Sequence, residues 1–466
     1  MHPGLGAALK KLQADGATSA LLAGFERAFL RVASGESGLI AESEIEPVGS
    51  LPTAADAAHH TASGERALAQ TAVIKLNGGL GTSMGLDRAK SLLPVKDGLT
   101  FLDIIARQIL HLRQFCGAPL PLLLMNSYNT EADTLRALAA YPALSEQAAP
   151  LSFRQNRIPR LLADTLLPVE WPADPSKEWC PPGHGDLYAA LFGSGIAARL
   201  LAAGIRYAFV SNADNLGAGL DVGLLGYFAD SGAPFMMEVT ARTAADRKGG
   251  HLARKKGGGY ILRESAQCPS EEAHFFQDIT RHRFFNTNNL WLDLLALSHF
   301  IERHGGPPDL PVMVNRKTVD PKDPSTPAVL QLETAMGAAI GALPGAIAIE
   351  VPRSRFSPVK TTDDLLGLWS DAYALSLDHR LELVPARNGI PPAIKLDTAH
   401  YKNWSDFAAR FPDGAPSLVA CESLKVVGDI RFGKNVVIRG SVTVVNRQPA
   451  QAFLSDRILE NISAEL

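Results

Sequence analysis

The sequence predicts an α/β protein built on a mainly parallel β-sheet with helices on both faces. Apolar strands alternate with amphipathic helices from residue 71 onward, and each of the first strands ends in a polar residue. After residue 391 the pattern changes, because valines and isoleucines recur about every six residues among glycine and asparagine turns. We therefore expect a large α/β unit followed by a small β-rich unit.

The N-terminal region, residues 1–50, is predicted to be helical as far as the segment "SGESGL". It lacks the basic start and unbroken apolar core of a secretory signal, so we interpret it as amphipathic helix. A polar, alanine-rich stretch at 52–70 then leads into the first clear strand, "TAVIKL".

The region that follows alternates between strand and helix. The segment "TFLDIIARQILHLRQF" has apolar residues close to a period of 3.6, which is typical of an amphipathic helix. The glycine-interrupted basic stretch at 248–256 predicts an exposed hairpin. The predicted strands are 71–76, 120–127, 151–155 and 206–214, and the predicted helices between them are 100–115, 130–141 and about 186–203.

Polar side chains follow four successive predicted strands. In open α/β sheets the ligands bind at the carboxyl ends of the strands, so we expect these residues to converge on one crevice. Any one of them could instead cap a helix or form a turn, but four strand ends together favour a site. These residues are Asn77, Asn126, Ser127, Gln155, Asn212 and Asp214.

The segment "KLNGGLGTSMGLDRAKSLLPV" (75–95) predicts a phosphate-binding loop. Its glycines Gly78, Gly79 and Gly81 allow close approach of the backbone to an anion and tolerate positive φ. Lys90 would add a positive charge for the phosphates. The spacing matches neither GxxxxGK[ST] nor GxGxxG, and a glycine-rich turn beside a surface lysine remains an alternative.

Composition limits the classes of partner. Among 466 residues, 46% are hydrophobic and 20% charged, and the net charge of −3 gives no basic field for nucleic acid or an anionic membrane. The four cysteines are widely spaced and form no CxxC pair, which argues against a zinc site or a disulfide framework. No apolar run is long enough to span a membrane. We therefore expect a cytoplasmic protein with small-molecule substrates.

Seven further segments follow the glycine loop in a recognisable order. They are "LLLMNSYNTEADT" (122–134), "WCPPGHGD" (179–186), "FVSNADNLGA" (209–218), "MEVTARTAADRKGGHL" (237–252), "FFNTNNLWL" (284–292), "QLETAMGAAIG" (331–341) and "VPRSRFSPVKTTDDLL" (351–366). Together with "LNGGLGTSMG…KS" they resemble the eukaryotic-type UTP–glucose-1-phosphate uridylyltransferases, also called UDP-glucose pyrophosphorylases. The resemblance extends over residues 70–445 or so, and several segments are long enough to be highly specific.

The resemblance implies a Rossmann-like nucleotidyltransferase core and a C-terminal left-handed β-helix-like domain, in agreement with the patterns above. We place the N-terminal helical segment at 1–50, the catalytic domain at 51–390 and the β-helix-like domain at 391–466. The family also allows a homo-oligomer formed through the C-terminal domain.

The resemblance assigns roles to residues on the nucleotide side of the site. It implies that Gln155 and Gly183 recognise the uracil edge, where an amide and a close backbone match the pyrimidine and leave other bases unpaired. The loop, with Lys90, would hold the uridine and phosphates of UTP. The implied nucleotide-binding residues are Leu76, Asn77, Gly78, Gly79, Gln155, Gly183 and Asn212.

On the sugar-phosphate side, the resemblance implies that His184 lies beside the phosphate and that Asn288 bonds the glucose hydroxyls. Lys360 would be a second phosphate lysine, and Asp214 would hold Mg²⁺ against the phosphates. Lys90, Lys360 and Asp214 are thus the implied catalytic residues. One departure from the family is that Arg88 and Ala89 replace the usual Gly-Pro before Lys90.

The implied reaction converts UTP and α-D-glucose 1-phosphate into UDP-glucose and pyrophosphate by in-line attack on the α-phosphorus. A related pyrophosphorylase acting on N-acetylglucosamine 1-phosphate or galactose 1-phosphate stays open. A non-catalytic nucleotide-sugar-binding protein also stays open, although Asp214 and both lysines are retained. A dinucleotide oxidoreductase is disfavoured by the glycine spacing.

Overall fold

The computed structural model describes residues 2–466, and a ten-stranded mixed sheet forms its centre. Its strands are β1 (Ile45–Pro47), β2 (Thr71–Asn77), β3 (Leu122–Asn126), β4 (Ser152–Arg154), β5 (Tyr207–Asn212), β6 (Phe235–Ala241), β7 (His251–Lys255), β8 (Tyr260–Arg263), β9 (Phe284–Asp293) and β10 (Ile347–Glu350).

The sheet has the order β1-β7-β9-β5-β2-β3-β4. The four predicted strands β5, β2, β3 and β4 are neighbours and run parallel, so the predicted parallel sheet is confirmed. Beyond β5 the sheet continues through the antiparallel strand β9, which also pairs with β6, while β10 pairs with β6 in parallel. The predicted hairpin in the basic stretch is formed by β7 and β8.

Helices cover both faces of this sheet. They are α1 (Pro3–Ala14), α2 (Ser19–Ala33), α3 (Ala54–Ala57), α4 (Thr61–Leu68), α5 (Phe101–Cys116), α6 (Glu131–Leu138), α7 (Leu187–Gly193), α8 (Ile196–Ala202), α9 (Val222–Ser231), α10 (Ala273–Phe276), α11 (Leu294–His304), α12 (Thr362–Trp369), α13 (Thr398–Tyr401) and α14 (Trp404–Arg410).

Alternate residues of the central strands enter two separate apolar clusters. Val73 and Phe209 pack on one face with residues of α5 and α9, whereas Ile74 and Val210 pack on the other face with residues of α7 and α8. This alternation follows from the period of two along a strand, and burial of both faces explains the continuous apolar runs of the sequence.

Two predicted helices are each divided into two. The helix expected at about 186–203 is broken between α7 and α8 at Gly195, which has φ = +76° and therefore cannot continue a right-handed helix. The N-terminal helical region is divided at Gly16, where φ is +81°. Thr18 then caps α2 by accepting from the Leu21 amide at 3.3 Å.

The C-terminal region is built from parallel pairs of short strands, and residues about one coil apart are register partners, such as Val437 with Ile458 and Thr443 with Ser463. Its valines and isoleucines alternate between buried and outward positions. Its strands are Ala393–Lys395, Ser417–Val427, Ile430–Phe432, Val437–Val445, Ala452–Leu454, Ile458–Glu460 and Ser463–Glu465.

Four smaller antiparallel sheets complete the fold, and the three-stranded one lies next to the site described below. They pair Leu161–Leu162 and Val312–Thr318 with Ala328–Thr334, Pro94–Lys96 with Leu99–Thr100, Ile158–Pro159 with Trp179–Cys180, and Tyr373–Leu375 with Leu381–Leu383. Among residues 2–466, no helix combines the length and the apolar character needed to cross a membrane.

Candidate functional site

A cavity of about 340 Å³ opens at the carboxyl ends of β2, β4 and β5, in the size range of small-molecule sites. Of the residues to which the family resemblance assigns a role, it brings together all but two, and the two outside its lining are Asn288 and Lys360. The lining residues are Leu76, Asn77, Gly78, Gly79, Lys90, Ser91, Met125, Gln155, Pro181, Gly183, His184, Asn212, Ala213, Asp214 and Glu333.

The glycine loop folds back on itself between β2 and Lys90. The Lys90 amide donates to the Gly79 carbonyl at 3.2 Å, and Leu80 forms a bridge with Ala89. None of the three loop glycines has a positive φ, so the left-handed conformations that glycine tolerates are not used at these positions. Close packing explains Gly78 instead, since a Cβ would lie 3.0 Å from the Gln155 amide oxygen.

Lys90 and Asp214 both line the cavity and form an ion pair with each other. The Lys90 ammonium lies 2.7 Å from Asp214 Oδ2, and the two side chains are 16% and 25% exposed. Lys90 also donates to the carbonyl of Val359, whose own amide donates to the Asp214 carbonyl at 3.2 Å. The lysine therefore joins the glycine loop, the end of β5 and the distant segment 351–360.

Gln155 and Gly183 also line the cavity and are hydrogen-bonded to each other. The Gln155 side-chain amide donates to the Gly183 carbonyl at 2.7 Å. Gly183 has φ = +78°, and a Cβ there would lie 2.5 Å from the Thr334 carbonyl oxygen. Only glycine fits this position, because both the backbone conformation and the close approach exclude a side chain.

Two of the predicted strand-end residues serve the sheet and not the cavity. Asn126 is fully buried, and its Oδ1 accepts from Asn77 Nδ2 at 2.8 Å and from Thr134 Oγ1 at 3.1 Å. Ser127 bonds locally with Thr130 at the approach to α6. The expected convergence of polar side chains therefore holds for three strand ends. At the end of β3, Asn126 instead holds the side chain of Asn77 in position.

His184 is held as a hydrogen-bond acceptor. Its Nδ1 accepts from the Met336 amide at 3.0 Å, and burial lowers the pKa of His184 to about 4. The imidazole is therefore neutral at neutral pH. Asp186, two residues on, accepts from the Asn156 amide at 2.7 Å and from its side chain at 2.9 Å. Burial outweighs these bonds and raises the pKa of Asp186 to about 7.

Asn288 lies in an irregular part of β9. The register between β6 and β9 shifts here, so that Thr287 and Asn288 form a bulge. Asn288 has φ = +58°, a left-handed conformation that asparagine tolerates. Its side-chain oxygen accepts from Asn286 Nδ2 at 2.9 Å, and its amide donates to Asn286 Oδ1 at 3.0 Å.

Lys360 is exposed and follows Val359, the residue whose carbonyl accepts from Lys90. Its amide donates to Asp364 Oδ2 at 2.8 Å, next to the capping box of α12. The structure thus places the Lys360 backbone one residue from the Lys90 contact, although its side chain is outside the cavity lining.

The acidic residues of the site limit how a metal could bind. Within residues 2–466, no group of three or more His, Cys, Asp or Glu side chains is arranged to hold a metal ion. Asp214 is a single carboxylate at the cavity, and Mg²⁺ in nucleotide enzymes is commonly held by one or two carboxylates together with substrate phosphates. The residues present therefore fit a magnesium ion shared with a bound phosphate chain.

Sequence reasoning missed several residues of the site. Ser91, Met125, Pro181, Ala213 and Glu333 line the cavity beside the predicted residues. All five lie within two residues of a predicted site residue or in a segment that carries the family resemblance, which was the signal available.

The charge and polar groups of this cavity suit binding of a phosphorylated small molecule. Positive charge comes from a lysine beside the glycine loop, and a polar amide with a close backbone lies at Gln155 and Gly183. The one histidine in its lining is neutral and already engaged, so the site favours positioning and charge neutralisation over proton transfer.

Comparison with known proteins agrees with this description. A family model described as UTP–glucose-1-phosphate uridylyltransferase matches residues 22–439. The UTP–glucose-1-phosphate uridylyltransferase of Saccharomyces cerevisiae is 45% identical over 398 residues, which cover 85% of this chain and 78% of the yeast protein. The Solanum tuberosum enzyme of the same name is 41% identical over 394 residues, covering 84% and 80%.

A solved UDP-glucose pyrophosphorylase from Leishmania major superposes with a TM-score of 0.91 at 44% identity, covering 100% of both chains. The family model and these relatives span most of the chain, including every segment that lines the cavity. The chain therefore belongs to the UTP–glucose-1-phosphate uridylyltransferase family.

Proposed function

We propose that this chain is a nucleotidyltransferase that joins UTP and α-D-glucose 1-phosphate to form UDP-glucose and pyrophosphate. The observation that carries this proposal is the cavity in which the Gln155–Gly183 bond and the Lys90–Asp214 ion pair occur together. The first pair supplies an edge for uracil, and the second supplies charge for the phosphates.

In the proposed reaction, a phosphate oxygen of the sugar phosphate attacks the α-phosphorus of UTP, and pyrophosphate leaves in line. The attacking oxygen is anionic at neutral pH, so the chain needs no general base. Its residues accelerate the reaction by aligning the two substrates and by neutralising charge. Lys90 acts on the UTP phosphates, and Lys360 acts on charge that develops as pyrophosphate leaves.

Asp214 is the residue proposed to hold Mg²⁺, which when bound supplies positive charge to the phosphate oxygens. Its Oδ2 accepts from Lys90, so the carboxylate also orients the lysine. Mg²⁺ would be held by this carboxylate together with the phosphates of the substrate. Asn212, at the end of β5, is proposed to bond the nucleotide nearby.

His184 and Asn288 are proposed to lie on the sugar-phosphate side. A neutral His184 contributes a hydrogen bond and no charge. For Asn288 the proposal is supported by the bulge, since an asparagine in a left-handed conformation projects from the regular strand.

The test is pyrophosphate release with UTP and a panel of sugar 1-phosphates: glucose, galactose and N-acetylglucosamine. The expected result is preference for glucose 1-phosphate. Faster turnover of another sugar would assign the chain to a related pyrophosphorylase. UDP-glucose binding without turnover of any sugar phosphate would indicate a nucleotide-sugar-binding protein.

For the rest of the chain we propose an N-terminal segment at 1–50, a catalytic domain at 51–390 and a left-handed β-helix-like domain at 391–466. The parallel strand pairs of the last unit support the β-helix. Phe453 and Ile458 are 61% and 60% exposed on its last coil, which supports a homo-oligomer formed there. Light scattering of Ile458→Glu, expected to be monomeric, tests this contact.

A cytoplasmic location is also proposed. Its support is that all four cysteines are free, as is usual for proteins of a reducing compartment.

A further inference from the structure

A buried ion pair joins the segment that carries Lys360 to the central sheet. Arg355 donates from Nε to Glu238 Oε2 at 2.8 Å and from Nη2 to Glu238 Oε1 at 2.7 Å. The carboxylate is fully buried on β6, and the arginine side chain is 12% exposed. This is the two-pronged geometry in which an arginine fixes both distance and orientation.

The remaining capacity of the Glu238 carboxylate is also used. Trp291 Nε1 donates to Oε1 at 2.9 Å, and Asn289 Nδ2 donates to Oε2 at 3.0 Å. Both partners lie on β9, so the neighbouring strand bonds the carboxylate in addition to the arginine. A buried charge with every oxygen bonded is a rigid anchor, because movement of any partner would leave a buried polar group unpaired.

Asn215, which follows Asp214, fixes the same segment at a second point. Its Nδ2 donates to the Arg355 carbonyl at 3.1 Å, and its Oδ1 accepts from the Ser357 amide at 2.9 Å. The Val359 amide then donates to the Asp214 carbonyl. The backbone from Arg355 to Val359 is thus hydrogen-bonded at every second residue to Asp214 and Asn215, just after β5.

Packing permits little slack in this arrangement. A Cβ on Gly217 would lie 2.2 Å from the Ser354 carbonyl oxygen, so the turn rests directly on the backbone after β5. Arg355 Nη2 also donates to the Gly219 carbonyl at 3.0 Å. A displacement of the arginine would therefore move the backbone of the segment and not only a side chain.

We infer that Arg355 and Glu238 are positioning residues that set the placement of Lys360. This inference rests on the proposed function, since it assigns to the pair the task of placing the phosphate lysine Lys360. Misplacement of a group by about 1 Å can cost on the order of a hundredfold in rate.

The experiment is a double-mutant cycle of Arg355→Lys and Lys360→Ala, read as kcat and as KM for UTP. A lysine keeps the positive charge over Glu238 but cannot bond both of its oxygens. If the arginine acts through Lys360, Arg355→Lys lowers kcat by roughly tenfold or more in the wild-type background, with KM for UTP changed less than about threefold. In the Lys360→Ala background it lowers kcat by less than about threefold.

Arg410→Lys is the matched control. Arg410 bonds both oxygens of Asp429 at 2.9 and 3.0 Å, and its side chain is 13% exposed, close to the 12% of Arg355. It lies in α14, outside the cavity lining. The control should lower the thermal midpoint as Arg355→Lys does, yet leave kcat unchanged in both backgrounds.

If Arg355→Lys does not fold, the same cycle is run with Glu238→Gln, which keeps the shape of the side chain. Equal fold-losses of kcat in the two backgrounds would overturn the inference, because they would mean that the pair acts without Lys360. A wild-type kcat for Lys360→Ala would overturn it as well, together with the role proposed for that lysine. Absence of turnover by the unaltered chain would instead overturn the proposed function.

Discussion

Gly183 carries two constraints that can be separated by substitution. Its backbone is left-handed, and a Cβ would collide with the Thr334 backbone at 2.5 Å. We expect Gly183→Ala to weaken UTP binding by roughly tenfold or more, because the clash displaces the carbonyl that Gln155 holds. Gly204 has φ = +80° with nothing within 4 Å, so Gly204→Ala should cost only about 1–2 kcal/mol of stability and leave UTP binding intact. Calorimetric titration of both variants measures the difference, and equal affinities would show that the close approach is unimportant.

Gln155 is expected to select the base. Its amide is buried and bonded to the Gly183 carbonyl, so a substitution changes both the amide and the wall behind it. Gln155→Ala should reduce the preference for UTP over CTP and ATP by about tenfold, the effect of a lost hydrogen bond in a buried site. The measurement is kcat/KM for each nucleotide. An unchanged ratio would place uracil recognition elsewhere.

The Lys90–Asp214 pair allows the metal hypothesis to be tested at the level of single residues. Asp214→Asn removes the carboxylate. Lys90→Ala also breaks the ion pair, but it leaves the Asp214 carboxylate in place. Only Asp214→Asn should raise the Mg²⁺ concentration for half-maximal turnover, by roughly tenfold or more. Lys90→Ala should raise KM for UTP at saturating Mg²⁺. A similar rise in the Mg²⁺ requirement of both variants would mean that the ion pair, and not metal binding, is measured.

At the scale of elements, sequence patterns within one segment predicted the strands and helices whose formation depends mainly on residues near in sequence. The strands β2, β3, β4 and β5 and the helix α5 follow from apolar periodicity, and the structure shows that a Thr100–Asp103 capping box begins α5. The break at Gly195 was missed because an isolated glycine inside an apolar helical pattern is often tolerated.

The antiparallel half of the sheet and the anchor at Arg355 depend on long-range pairing. Ser357 bonds Asn215 across 142 residues of chain, and Arg355 bonds Glu238 across 117. No periodicity within a segment encodes such a contact, so the sequence predicted Lys360 only through the family resemblance. Asp186 likewise lies in the segment "WCPPGHGD", but only the folded structure shows that its carboxyl group is buried.

The turn of His184 predicts a dependence of stability on pH. Burial lowers the pKa of His184 to about 4, so between that value and the ordinary value of 6.5 the unfolded chain binds more protons. Its contribution is therefore present above pH 6.5 and is lost as the pH falls towards 4. We expect His184→Asn to lose less of its thermal midpoint than the unaltered chain between pH 7.5 and pH 5. His299→Asn, at an exposed position of α11, should behave as the unaltered chain. Parallel loss in all three proteins would contradict this.

At the scale of the whole molecule, the apolar core crosses the boundary placed at residue 390. The indole of Trp369 lies 5.5 Å from that of Trp404 and 5.1 Å from the ring of Phe407, as measured between centroids. Thr362 donates to the Tyr401 carbonyl at 2.8 Å. One cluster of buried residues thus extends from α5 to the C-terminal strands. The change of sequence pattern at this point marks a change of architecture, while the packing is continuous.

This continuity predicts different results for two truncations. A chain ending at Gly389 loses Tyr401, Phe407 and the strands that follow, so it leaves Trp369 facing water. Burial of each large side chain is worth about 1.5–3 kcal/mol, and losing several exceeds the usual stability of a domain. We expect this chain to be insoluble or to melt far below the full chain.

A chain ending at Gln448 is the control, because residues 449–466 contribute one side chain, Leu454, to the buried apolar core that the structure describes. No residue of the cavity lies beyond Glu333, and Lys360 also precedes the cut. The shorter deletion should therefore lower the thermal midpoint modestly and leave kcat for UDP-glucose formation within about twofold, since distant changes act independently. Thermal melting and pyrophosphate release are measured on both chains. A chain ending at Gly389 that melts like the full chain would mean that the C-terminal unit stabilises only itself, and the boundary at 390 would then separate two independent folding units.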